Sequence, residues 1–408
     1  MHAVRAMTSA LARLCWFCAA QAMTGLLAVL LLVSLLYATT SLYVFAVSQP
    51  FVGPGWYNPY GDLPAAGRWQ KANFHAHSIA WGGLTNGGQS AQDVVSAYAG
   101  MRYDIVGVSN YHSLSASEVT GTFPVYEQGW NVQKSHRLAI GGDKVVWRDY
   151  PLGQTAHQQQ DIINRIRATG AVVALAHPAI RDGHSLADLR RLSGYDALEV
   201  LNHFVAPATA QWDAALSAGR AVWVLANDDS HDIHGAGETG VNWTLVHTPS
   251  SAAADVRLAI RAGRTIGVRG QRGQAHLQFL SQHITGDTLE VRVRGPVGRV
   301  TISGQDGVAR NTVITDSAGI IIARAIARSD DGYLRTTVQG DSTSEGELLL
   351  LNPVVRWDGQ ALGAALATVD TSRTSALRWI AFCLYGAAFT SIRARQPRRV
   401  PRARPILT

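Results

Sequence analysis

No charged residue appears between Arg13 and Asp62, and a run of that kind decides where everything after it must fold. Its dense apolar part, from Leu26 to Val47, exceeds the roughly 20 residues needed to cross a bilayer. The expectation is a transmembrane helix over 22–48 behind a cytoplasmic N-terminus, 1–21. A cleaved signal peptide is the competing reading, but its apolar region is about 7 to 15 residues long and ends in a small-residue site. Arg5 and Arg13 precede the run without acidic neighbours, so the positive-inside rule exports the following domain to the periplasmic side of the cytoplasmic membrane. A second apolar segment, 379–392, lies in an expected helix over 376–392 and is short for a crossing. It is followed by a basic tail, 393–408, carrying Arg393, Arg395, Arg398, Arg399, Arg402 and Arg404. Two outcomes stay open: a second crossing that returns the arginines to the cytoplasm, or an interfacial helix held to anionic lipid.

That tail also accounts for most of the net charge of +7. The rest of the chain is nearly balanced, so no basic groove and no nucleic-acid partner are expected. With 408 residues, 47% of them hydrophobic, the chain can bury one large core and a smaller second one. Its three cysteines, Cys15, Cys18 and Cys383, all lie in or beside the apolar segments. The central region therefore has no disulfide and no thiolate ligand, and any metal there must be held by His, Asp and Glu.

Between the apolar segments the patterning changes twice. From about 70 to 268, short β-branched runs at 71–75, 104–109, 138–141, 171–176, 197–201, 221–226 and 265–268 alternate with helical stretches at 91–99, 157–168, 186–192, 208–218 and 252–262. That rhythm predicts an α/β fold of parallel strands with helical crossovers, arranged as a seven-stranded barrel over 66–270; a doubly wound open sheet gives a similar string. From 274 to 366 the helical patterning fades. Runs at 289–294, 300–303, 312–315, 320–325, 333–338 and 348–355 predict a small all-β sandwich.

The histidines acquire meaning from their positions. His75 and His77 end the first run, His112 follows the second, His177 the fourth, and Asp229 with His231 the sixth; Glu127 and His136 lie before the third. In a barrel the C-terminal strand ends share one face, where chemistry is placed. Imidazole and carboxylate donors in this mix suit Zn or Mn, and Fe also, and clustered ions that share a hydroxide can attack an electrophile.

These residues resemble those of the polymerase and histidinol phosphatase (PHP) superfamily, metal-dependent phosphoesterases built on a distorted seven-stranded barrel. The resemblance covers about 70–270, with a less specific likeness at Leu351-Asn352-Pro353. The family's first motif is matched by His75-Ala76-His77-Ser78, its third by Leu175-Ala176-His177-Pro178 and its fourth by Asp229-Ser230-His231. By likeness, Glu127 is the bridging carboxylate and His136 the histidine that follows it. The resemblance implies that His75, His77, Glu127 and Asp229 hold one divalent ion, and that Glu127, His136 and His177 hold its neighbour. Glu127, Asp229 and His231 form the implied catalytic set. A metal-bound hydroxide would then cleave a phosphoester in a small phosphorylated substrate. Two departures bear on a third ion. Where members read Thr-Asp-His-Asn this chain has Ser109-Asn110-Tyr111-His112, and where they often carry an Asp or His it has Trp81-Gly82-Gly83-Leu84. Two ions are expected, and a third only if His112 takes the place of the missing ligand.

Two rival classes stay open: a metal-binding receptor or scaffold without turnover, and a metal-dependent amidohydrolase acting on a non-phosphorus substrate. Of the other side chains, Asp228 reads as an orienting partner of a ligand or as a helix cap, and Arg148 and Arg181 as ordinary surface arginines or, less readily, as phosphate grips. His184 and His234 are the remaining histidines nearest the expected ligands. Trp130, Trp147, Trp212, Trp223 and Trp243 read as barrel packing.

Overall fold

The computed structural model describes residues 2–115, 119–235, 237–362 and 365–395; residues 396–408, most of the expected basic tail, lie outside them. The chain divides into two compact units, one formed by residues 1–43 with 369–408 and the other by 44–368.

In the first unit, helix α1 spans His2–Ala38. Its segment Arg13–Ala38 is long and apolar enough to cross a membrane, with a mean hydropathy of 2.1. It ends ten residues short of the expected 48: Thr39 and Thr40 turn their hydroxyls back onto the carbonyls of the last turn, and the chain leaves the helix there. The C-terminal apolar segment also forms a helix, α7 (Thr371–Arg395), longer than expected at both ends. Tyr385 donates a 2.6 Å hydrogen bond to Ser34, and Arg378 donates to the Thr39 carbonyl. Arg13–Ala38 is the sole candidate span among the described residues.

The second unit is a mixed α/β fold. Its strands are β1 (Arg68–Asn73), β2 (Ile105–Val106), β3 (Val125–Gln128), β4 (Arg137–Ile140), β5 (Val172–Leu175), β6 (Ala197–Leu201), β7 (Trp223–Ala226), β8 (Asn242–Thr248) and β9 (Thr265–Arg269). The helices between them are α2 (Ala91–Gly100), α3 (Ala156–Ala168), α4 (Leu186–Arg191), α5 (Thr209–Ser217) and α6 (Ala253–Arg261). Their starts are set locally: Ser90 with Asp93, and Thr155 with Gln158, close capping boxes, and Ser185 caps α4. Gly170, Gly219 and Gly263 end three of them in the left-handed conformation that glycine adopts without a Cβ clash.

The expected closed barrel is replaced by two open sheets. One has five strands in the order β7-β6-β5-β4-β3. The other has eight: β1, β2, β8 and β9, three strands from further along the chain, and the short strand Gly55–Tyr57, which pairs with the last of those three. Edge pairing explains the opening. A strand has two edges, and those of β1 are taken by β2 in parallel and by β8 antiparallel, so β1 has no ladder left to offer β7. The free edge of β7 is satisfied by side chains instead: Asn352 Oδ1 accepts from Val224 N–H, Thr244 Oγ1 bonds both polar groups of Ala226, and Thr265 Oγ1 donates to the Val224 carbonyl. Single parallel bridges, Gly107 with Phe123 and Ala76 with Ser230, cross the gaps between the sheets. Strand direction also departs from expectation. β4 runs antiparallel to both β3 and β5, so its start, not its end, lies at the face where its neighbours stop.

The remaining strands are β10 (Gln278–Thr285), β11 (Thr288–Arg294), β12 (Val297–Ser303), β13 (Thr312–Ser317), β14 (Ile320–Ile326), β15 (Tyr333–Gly340) and β16 (Leu348–Trp357). The first, second, fifth and fourth of these form a four-stranded antiparallel sheet, whereas β12, β15 and β16 extend the eight-stranded sheet through β9. The Leu-Asn-Pro likeness falls at this junction, where the buried Asn352 ties β16 to Gly263, Thr265 and Val224. A core of Phe74, Leu138, Ile140, Val172, Leu225, Val246 and Ile260 fills the space between the sheets. Its uninterrupted apolar stretches, such as Val172–Leu175, are those of strands covered on both faces.

Candidate metal centre

The chain segments that leave the strands at one face are joined by single backbone hydrogen bonds. Asp229 N–H donates to the His75 carbonyl, His77 N–H to Ser230, Ser109 N–H to Ala76, Glu127 N–H to Ser109, and Ala176 N–H to His136. Residues far apart in sequence thus converge where the ladders end. Two of the turning residues, His177 (φ 28°) and Asp229 (φ 55°), hold left-handed conformations, each costing on the order of 1 kcal/mol. Strain of this kind persists where the surrounding contacts over-determine it.

The convergence brings His75, His77, Glu127, His136, His177 and Asp229 into one buried cluster. His75, His77, Glu127 and Asp229 present donor atoms within 4.8 Å of one another, and so do Glu127, His136 and His177. Glu127 stands between the two groups. Its Oε1 lies 2.6 Å from His136 Nδ1 and 3.1 Å from His177 Nε2; its Oε2 lies 3.4 Å from His75 Nε2 and 3.3 Å from His77 Nε2. Asp229 Oδ1 is 3.0 Å from His75 Nε2 and 3.1 Å from His77 Nε2. His136 joins the cluster because β4 is reversed: it precedes that strand and so sits at the same face as residues that follow theirs.

Burial is complete at His75, His77 and Glu127, and it works against every charge in the cluster. Burial pushes the His75 imidazolium down, yet Asp229, Glu199 and Glu127 together hold its pKa well above the usual value. His136 meets one carboxylate, and there burial wins, lowering it to about 4. Burial likewise opposes ionisation of Glu127 and Asp229, but the surrounding histidines keep both well below the carboxylate range.

The polar atoms left over test whether a cation fits. Among the described residues, His75 Nε2 and Glu127 Oε2, which face each other across the cluster at 3.4 Å, are buried without a hydrogen-bond partner. A buried polar atom without a partner costs roughly 1–3 kcal/mol. A divalent ion among neutral imidazoles and carboxylates satisfies such atoms, and this donor set suits Zn, Mn or Fe.

An outer layer fixes the donors. Glu199, wholly buried on β6, accepts His75 Nδ1–H at 3.0 Å and Asn227 Nδ2 at 2.9 Å through Oε1, and His177 N–H at 2.9 Å and Asn202 Nδ2 at 3.0 Å through Oε2. Asn202 Nδ2 also reaches Asp229 Oδ2 at 3.2 Å. Glu199 was not anticipated, although a lone carboxylate in the apolar run Ala197-Leu198-Glu199-Val200-Leu201 is a legible signal of a buried partner.

Other expected residues fall elsewhere. His231 sits at the rim, 33% exposed, with Nδ1–H donated to the Asp229 carbonyl and its ring 4.3 Å from that of His77. His112 is outside the cluster: Nδ1 donates to the Val146 carbonyl and Nε2 accepts from Gly129 N–H, so neither nitrogen is left for a third ion. Tyr111 covers the position instead, with its ring 5.2 Å from His77 and 5.5 Å from His136. Asp228 neither orients a ligand nor caps a helix. It accepts from Tyr98 O–H and from the amides of Gly240, Val241 and Asn242, fastening the loop before β8. His184 is structural, bonded to Gln159 and to the His136 carbonyl. Arg148 is held by Tyr150 and Asp161, and Arg181 donates to the Val132 carbonyl. Trp212, Trp223 and Trp243 are packed inside as expected, whereas Trp130 and Trp147 are exposed.

No family model matches this chain, and no curated protein does. Among solved structures it is similar to a two-domain protein of Bacteroides vulgatus that contains a predicted PHP-like metal-dependent phosphoesterase. The two share 12% identity, with a TM-score of 0.37 over 79% of this chain and 100% of that one. The functional reading rests on the site itself.

Proposed function

We propose that the chain is a metal-dependent phosphoesterase of PHP type. Its catalytic region is 66–270, an incompletely closed relative of the seven-stranded barrel, followed by a β region at 274–366. The observation that carries this reading is Glu127, whose two oxygens face different pairs of histidines, the arrangement of a carboxylate shared by two cations. His75, His77, Glu127 and Asp229 would hold one ion, and Glu127, His136 and His177 the other. Ions there would supply Lewis acidity, lowering the pKa of water and neutralising charge on phosphate oxygens.

The protein's own groups divide the remaining work. Glu199 locks His75 with Nε2 turned inward and, through the His177 amide, aligns both ion positions with one side chain. Asp229 is steadied by Asn202 on its outer oxygen. Burial of the cluster excludes bulk water and strengthens each electrostatic contact. His231 is the residue assigned to proton transfer at the leaving oxygen, since it is the one partly exposed imidazole of the set. Arg5 and Arg13 ahead of the Arg13–Ala38 span support display of the catalytic region outside the cytoplasmic membrane.

The test is metal content together with hydrolysis of a phosphomonoester and a phosphodiester, in wild type and in His177→Ala. Two or more bound ions, with activity abolished by the substitution, are expected. Bound metal without hydrolysis in the wild type would replace the enzyme with a metal-binding receptor.

A further inference from the structure

The rim of the metal centre is apolar on one side, and its residues are placed there by specific contacts. A small hairpin, paired at Ile79 with Asn86 and at Ala80 with Thr85, follows His77. Its tip runs through Trp81, Gly82 and Gly83, all at positive φ. Glycine takes that conformation freely; a tryptophan does so at a cost. The indole Nε1–H is anchored to the Tyr111 carbonyl at 2.9 Å, so the strained turn holds Trp81 beside the ring that covers His77. The rings of Trp130 and Trp147 lie 5.3 and 5.9 Å from Trp81, edge to face, and His112 stacks on Trp147. The loop of Trp130 continues through Val132, whose N–H bonds the Pro151 carbonyl next to Leu152, and then to the ligand His136. Trp81, Trp130 and Trp147 thus cluster beside Tyr111 and His112, 38%, 47% and 60% exposed, and the segments that carry them or bond to them also hold the exposed Leu84, Val132 and Leu152.

Exposed apolar side chains gathered beside a polar site in this way mark a binding surface. Its composition indicates what it binds. A flat base would need open aromatic faces, whereas these indoles pack edge to face at 79° and 77°, and the aliphatic Leu84 and Val132 lie on the same hairpin and loop, a composition suited to hydrocarbon. Resting on the phosphoesterase reading, we infer that the substrate is an amphiphile: a phosphate group seated at the ion positions and a hydrocarbon tail lying across the Trp81, Trp130 and Trp147 border.

The test uses the full chain in phosphatidylcholine nanodiscs, loaded with Mn, titrated calorimetrically with ethyl, butyl, hexyl and octyl phosphate below their micelle concentrations. Affinity should rise about two- to fourfold per methylene. In Leu84→Ser combined with Trp130→Ala the rise should fall to less than half, with metal content and ethyl phosphate affinity unchanged. Partition of the probes into the bilayer is the same for both proteins and cancels. Equal chain-length dependence in the two proteins, with metal and ethyl phosphate still bound, overturns the tail site alone. A nucleoside monophosphate that binds more tightly than octyl phosphate, and loses that advantage in the double variant, overturns it in favour of base stacking. Absence of bound metal overturns the phosphoesterase reading and this inference with it.

Discussion

Where α5 meets the β-rich region, and at the strand ends of the α/β region, buried carboxylates are treated in opposite ways. In the β-rich region Asp331 accepts from Arg310 Nε at 2.7 Å, from a second Arg310 nitrogen, and from the amides of Gln305 and Arg328. Asp213 on α5 is similarly saturated by Tyr333 O–H at 2.8 Å and by two nitrogens of Arg335 at 2.6 Å. Each of these oxygens has a partner, and each charge has a fixed counter-charge. At the strand ends the reverse holds. Glu127 and Asp229 face imidazoles, and among the described residues no arginine or lysine pairs with them and Glu127 Oε2 has no hydrogen bond. A structural carboxylate is finished by the chain, whereas those of the candidate metal centre are left in an arrangement that could hold an ion. The same side-chain chemistry therefore contributes stability in one region and sacrifices it in the other.

The sharpest way to break this contrast is to neutralise Glu127. Glu127→Gln should lose both ions and reduce hydrolysis on the order of 10³-fold, yet leave the metal-free protein as stable as wild type or more so; metal analysis, kinetics and denaturant unfolding with chelator read the three parts. A large loss of metal-free stability would put Glu127 with Asp213 instead. Asp213→Ala should do the opposite, leaving Arg335 buried without a counter-charge at a cost of roughly 3 kcal/mol, seen as a lower denaturant midpoint, while activity per folded molecule and metal content persist. Between these extremes stands Glu199→Gln, which keeps the volume but removes the charge that holds His75 Nδ1–H. Its metal affinity should fall about 10- to 100-fold, and titration with a competing chelator measures it.

The smallest effect is a pH dependence. Burial raises the Asp331 pKa, but hydrogen bonds from Arg310 and from backbone amides prevail and hold it below its usual value. A carboxylate whose pKa is depressed in the folded state contributes stability that is present above its unfolded pKa and lost as pH falls through the folded one. Unfolding of wild type and Asp331→Asn should therefore differ above about pH 4 and converge in more acidic solution. A difference that is the same at every pH would assign the effect of Asp331 to packing.

Much of the site was legible before any coordinates. His75, His77, His177 and Asp229 follow runs such as Ala171 to Ala176 that only a buried strand would carry, and a strand end is recognisable from where its apolar stretch stops. The helices were legible for a similar reason, because caps such as Ser90 with Asp93 and terminators such as Gly170 act within a few residues. Less came through where a signal was short or ambiguous. Strand β3 holds four residues, Val-Tyr-Glu-Gln, too few to show a period. Trp130 and Trp147 depart from the expected packing because a ring's role depends on what stands beside it: Trp130 and Trp212 are the same residue type, one exposed and one wholly buried.

By itself, then, the sequence determined the elements whose causes are local: the apolar N-terminal helix, the alternation of strands and capped helices, and the donors that end the strands. Only the tertiary structure decided that β4 runs backwards and so delivers His136 to the candidate metal centre, that β1 spends its edges on β2 and β8 and leaves the sheets open, and that Glu199 bonds His75 and the His177 amide at once. These depend on which edges and side chains meet across long separations of chain, and pairing of that kind leaves no period or cap in the sequence from which it can be read.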